Sequence, residues 1–131
     1  MPLYRWSYIS KQSVRFNRDF IFVFGDNYTV PAHRQYTNIV GIPTKFSDGK
    51  HAQAYLKDVD YGTISADWAR TFGRLEAFLK SGKCIVFPSG GIGTGRADLK
   101  KRAPRLFSYL QMRIKRLDDI EKASKQQPAH A

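Results

Sequence analysis

The chain is poor in cysteine: Cys84 is the only one in 131 residues, so no disulfide can form within it. It stands inside an apolar run, which suits a small buried hydrophobe. A reactive thiolate would need exposure and a neighbouring base. So few thiols fit a reducing compartment. The three histidines, His33, His51 and His130, are scattered and give no metal-ligand spacing. Long hydrophobic runs are also missing. Nothing approaches the ~20 apolar residues of a membrane span, and the opening MPLYRWSYIS lacks the apolar centre of a signal peptide. These absences set the expectation of a cytoplasmic protein without a membrane partner or a cofactor. Acid is scarce: 11 Asp and Glu face 22 Lys and Arg, for a net charge of +11. Such an excess favours anionic partners.

What is present is a globular composition, 42% hydrophobic and 14% aromatic. A chain of this size buries about two-thirds of its unfolded surface. One domain is expected over residues 1–124, followed by a disordered tail over 125–131.

The most informative stretch runs from Lys83 to Leu110. Cys84–Phe87 is a short apolar run with β-branched residues, flanked by Gly82 and Pro88, and reads as a buried strand. Gly90, Gly91, Gly93 and Gly95 then fall within six positions. Glycine at that density lets backbone approach a ligand and turns successive N–H groups toward an anion. Arg96 follows and could add a bidentate charge. Pro104 suits the first turn of a helix whose apolar face is Ala103, Leu106, Phe107, Leu110, Ile114 and Leu117. Strand, glycine turn and helix describe a phosphate-cradling edge of an α/β sheet. The turn is neither a P-loop nor a dinucleotide fingerprint, and a tight strand-to-helix connection needs glycine as well.

Elsewhere, Leu3–Ile9 alternates aromatic and polar residues as a half-buried strand does. Phe20–Phe24 is the most apolar run, so a central strand is expected there. Gly25, Asp26 and Asn27 close it at the carboxyl end, where open α/β sheets bind ligands. Asn38–Ile42 is a further strand, stopped by Pro43. Residues 44–62 read as a long loop with one helical turn near Ala52–Leu56. Ser65 is the expected N-cap of a helix bearing Trp68, Phe72, Leu75 and Leu79, which ends at Lys80 and Gly82.

Together, IFVFGDN at 21–27, GIPTK at 41–45 and PSGGIGTGRADLKKRAPRLFSYL at 88–110 resemble a family of small phage and bacterial macrodomain-like proteins of unassigned function. The resemblance implies a three-layer α/β/α fold with a mixed sheet, and ADP-ribose or nucleotide binding at the strand ends. Some macrodomains also hydrolyse ADP-ribosyl bonds. Ser89, Gly90, Gly91, Ile92, Gly93, Thr94 and Gly95 are similar to the loop that holds the distal phosphate. Asp26 and Asn27 stand where macrodomains carry polar ligand contacts. If phage-encoded, the protein would act in the host cytoplasm.

Residues 28–37 depart from the pattern, for they hold no glycine and are short. That keeps a second reading open, an interaction protein that binds a host protein or nucleic acid through a basic surface. Between Leu99 and Leu117 there is no acid. Lys100, Lys101, Arg102, Arg113 and Arg116 are the expected phosphate contacts of such a stripe. Catalysis is left open: there is no Ser–His–Asp grouping or carboxylate pair, and Asp26 as a general base has nothing to activate it.

Overall fold

In the computed structural model, residues 3–28, 36–95 and 97–126 are described. The strands are β1 (Leu3–Trp6), β2 (Phe20–Asn27), β3 (Ile39–Lys45) and β4 (Cys84–Pro88). The helices are α1 (Lys11–Phe16), α2 (Tyr61–Lys80), α3 (Leu99–Arg102) and α4 (Pro104–Gln126). Two 3-10 turns, Ala52–Ala54 and Asp58–Asp60, precede α2.

The fold is α/β, with a sheet ordered β1-β4-β2-β3. The two apolar runs, β2 and β4, are its central strands. The sheet was expected to be mixed. Its three described pairings are instead all parallel, and the antiparallel content is an isolated bridge between Lys45 and Tyr55. The reason is connectivity: each strand returns through a crossover, and a crossover yields a parallel neighbour.

The sheet's faces are covered unequally. On one, Ile21, Val23, Val40, Ile42, Ile85 and Phe87 pack against the apolar faces of α2 and α4. Trp68 is fully buried there, and its indole N–H donates to the Pro43 carbonyl at 2.8 Å. On the other, Phe22 and Val86 meet Val14 of the six-residue α1 and half-buried aromatics that include Tyr4, Trp6 and Phe20. β2 is therefore apolar along its whole central run because both its faces are covered.

Several boundaries differ from the expectation. β3 passes through Pro43 to Lys45. It lies at an edge of the described sheet, where the missing N–H of proline is tolerated. α2 starts at Tyr61, one turn before Ser65, because the 3-10 turn Asp58–Asp60 feeds straight into it. Ser65 lies inside the helix and donates to the Gly62 carbonyl at 3.4 Å. Cys84 is half-buried, since it opens β4 and only the next three residues are enclosed. α4 begins at Pro104, as its sequence suggests. Its first N–H groups are capped from a distance: Asp58 accepts from Arg105 N–H at 3.0 Å and Leu106 N–H at 3.3 Å. α4 runs to Gln126, two residues into the expected tail. Residues 127–131 lie outside the described residues.

Candidate functional site

Four parallel strands place their carboxyl ends along one edge. β2 ends there in Gly25-Asp26-Asn27, β3 in Thr44-Lys45, and β4 leads into the glycine turn. These segments form a cleft of about 410 Å³, lined by Gly25–Asn27, Thr44, Lys45, Ser47, Asp48, Gly91–Gly95 and Ala97. That volume is in the range of small-molecule sites.

The turn has the geometry of an anion cradle. Gly91 has φ +90° and Gly93 has φ +76°, so positive φ alternates with the ordinary backbone of Ile92 and Thr94. Alternation of that kind is how anion-binding backbone turns aim successive N–H groups to one side. The turn is pinned by Gly91 N–H to the Pro88 carbonyl (3.0 Å), Leu99 N–H to the Gly93 carbonyl (3.1 Å) and Thr94 Oγ1 to the Gly90 carbonyl (2.8 Å). The N–H groups of Ile92, Gly93, Thr94 and Gly95 have no protein acceptor among the described residues. Four such donors follow one another on the wall of the cleft, where solvent or a ligand can reach them.

The glycines serve different ends. A Cβ on Gly93 would run into the side chain of buried Leu99, so this glycine is required by packing as well as by φ. A Cβ on Gly95 would meet nothing within 4 Å. One on Gly25 would stand 3.4 Å from Thr44 Oγ1 and 3.9 Å from Ile92 Cγ2, which is ordinary contact.

Of the residues expected in the site, Gly25, Asp26, Asn27, Gly91, Ile92, Gly93, Thr94 and Gly95 come together in the cleft. Ser89 and Gly90 do not line it: Ser89 N–H donates to the Trp6 carbonyl at 2.9 Å and so extends the β1–β4 pairing. Arg96 lies outside the described residues. Asp26 turns one carboxylate oxygen back to its neighbour, accepting the Asn27 N–H at 2.9 Å.

Thr44, Lys45, Ser47 and Asp48 also line the cleft and were not foreseen. A signal existed: Thr44 and Lys45 close a strand, as Gly25–Asn27 do, and the same strand-end rule applies to both.

The basic surface takes a different form from the expected stripe. Lys100 and Lys101 are exposed on α3, but Ala103 breaks the helix and sets α3 apart from α4. Arg102 lies over the Tyr55 ring, its Cζ 3.6 Å from the centroid, and meets Asp98 at 3.8 Å. Arg113, largely buried, and Arg116, still exposed, both meet the same Glu76 oxygen, at 2.8 Å and 3.1 Å. Glu76 is 8% exposed, and two guanidinium groups compensate its buried charge. Arg113 also packs over Phe72. Two of the five expected contacts, Lys100 and Lys101, are thus exposed and without an ion pair among the described residues.

Beside the cleft, Tyr28 donates to Asp67 at 2.9 Å and ties the end of β2 to α2. Burial, then the bond to Asp67, push its hydroxyl well above the ordinary tyrosine range. No group of His, Cys, Asp and Glu among the described residues could hold a metal ion. No described helix is long and apolar enough to cross a membrane.

Fold and cleft define the class: a parallel α/β protein with a glycine turn and a row of open backbone donors at the carboxyl ends of its strands. Residues 4–113 match a family of unknown function, DUF7831, and the chain belongs to that family. No curated protein and no solved structure matches the chain.

Proposed function

We propose that the protein binds an anionic nucleotide or ADP-ribose-type ligand in the cleft at the strand ends. The observation that carries the reading is the run of N–H groups from Ile92 to Gly95 that have no acceptor among the described residues. A phosphate placed there accepts hydrogen bonds from backbone that is already ordered, so little conformational entropy is lost on binding. Asp26 and Asp48 stand on the same cleft and suit ribose hydroxyls, which donate to carboxylates. The similarity of residues 89–95 to the macrodomain phosphate loop supports the same ligand class. We assign binding and no chemical step to the site.

Thermal denaturation with and without ADP-ribose tests this. At 100 times its dissociation constant the ligand adds about 2.7 kcal/mol of stability. Gly95→Val places a side chain in open space on the cleft wall, so it should abolish that gain and leave the unliganded melt unchanged. An equal gain in wild type and variant would place the ligand elsewhere.

A further inference from the structure

Lys45 is an unusual residue for its surroundings. It is 8% exposed, at the end of β3 and on the wall of the cleft. None of the described ion pairs includes it. Its Nζ donates to the Gly49 carbonyl at 2.7 Å and lies 4.6 Å from the centroid of the Tyr55 ring. Arg102 lies over the same ring, so Tyr55 meets two cations. A lysine so buried, with no carboxylate within ion-pair distance among the described residues, is costly to the fold. A neutral donor would satisfy the Gly49 carbonyl equally well, and the Tyr55 ring face offsets only part of the cost of the charge.

The backbone holds Lys45 from both sides. Its carbonyl accepts from Tyr28 N–H at 3.1 Å, it bridges to Tyr55, and the next residue, Phe46, donates to Ala54 at 2.8 Å. The cation is therefore pre-positioned, and its stem has little freedom left to lose. The cleft lining so includes a row of backbone N–H groups on the β4 side and a cationic residue, Lys45, on the β3 side.

Resting on the nucleotide reading above, we propose that Lys45 receives a second anionic group and makes the cleft selective for ligands with two linked phosphates over those with one. One phosphate lies on the Ile92–Gly95 amides and its neighbour at Lys45 Nζ. A mononucleotide engages one device and leaves the other unused.

Calorimetric titration with ADP and with AMP tests this in the wild type, in Lys45→Met and in Lys45→Gln. Wild type should bind ADP at least about ten-fold more tightly than AMP, the usual worth of one charged hydrogen bond. Both variants should bring the two affinities within about three-fold, chiefly by weakening ADP. Lys45→Met should melt close to wild type, because relief of the buried charge offsets loss of the Gly49 hydrogen bond and the Tyr55 contact while the stem's volume is kept. Lys45→Gln keeps an uncharged donor on a side chain one bond shorter and serves if the Met variant fails to fold. Equal wild-type affinities for ADP and AMP, or a preference that survives both substitutions, overturns the inference while the cleft remains a nucleotide site. Binding of neither nucleotide by the wild type overturns the nucleotide reading and this inference with it.

Discussion

The protein carries positive charge or donor capacity in two places, and they differ in what already faces them. On α3 and α4 the cations are numerous, yet Arg102 is stacked on Tyr55, and Arg113 and Arg116 are bound to Glu76. At the glycine turn the formal charge is low, yet four backbone N–H groups have no acceptor among the described residues. Net charge describes the first region better; unmet hydrogen bonding picks out the second. A donor whose partner is within the fold contributes stability. A donor without one is available to a ligand.

The largest expected effect breaks the first side of this comparison. Glu76→Gln leaves Arg113 facing a buried, uncharged partner. Loss of one member of a buried ion pair costs about 3–5 kcal/mol. Because Arg116 is more than half exposed, the lower end is expected, read as a shift in the urea midpoint. A change below about 1 kcal/mol would show that these arginines are free for other partners.

Next come two glycines of one turn. Gly93→Val forces a β-branched residue to φ +76° and against Leu99, and should cost about 2–3 kcal/mol. Gly95→Val should stay within about 0.5 kcal/mol of wild type. Equal melting temperatures for the two would mean that the turn is not packed as described.

The third concerns nucleic acid. With Lys100 and Lys101 as the unpaired members of the set, duplex DNA binding should fall with salt at a log–log slope of about −2 or shallower, near −0.9 for each phosphate. A slope near −5, lost on changing Arg113 and Arg116 to Ser, would restore the continuous stripe.

The smallest concerns Tyr28. Tyr28→Phe removes the hydrogen bond to Asp67 and should cost about 1 kcal/mol. The hydroxyl's folded-state pKa lies above its unfolded value. Its contribution is therefore complete below about pH 10 and declines as pH rises beyond that, where only the unfolded form ionises. The variant's stability should fall less steeply than that of the wild type in alkaline solution. Parallel alkaline profiles would contradict the Tyr28–Asp67 contact.

The fold was legible where a residue's burial follows from its immediate neighbours. Phe20–Phe24 and Cys84–Phe87 are apolar without alternation, and both became central strands. Trp68, Phe72, Leu75 and Leu79 keep helical spacing, and all face the sheet. The cleft was legible in part, because strand ends and dense glycine are local signals. Lys45 was not, because nothing in GIPTK tells a buried lysine from a solvated one; that depends on Tyr55 and Gly49 folding back over it. The pairing of Arg113 and Arg116 with Glu76 was hidden for the same reason. Those residues lie 37 and 40 positions apart in sequence, and helical periodicity carries no information about the charge on the helix opposite. Pro43 misled because its meaning depends on whether a strand is central or at an edge, which is a property of the assembled sheet.

The central claim is that the unpaired amides of the glycine turn are the anion site. Titrating ADP into ¹⁵N-labelled protein and following each backbone amide tests it most directly. The Ile92, Gly93, Thr94 and Gly95 amides should shift downfield together, with one saturation curve, while those of Lys100, Lys101, Arg113 and Arg116 stay in place. Shifts confined to α3 and α4, with the turn unmoved, would contradict it.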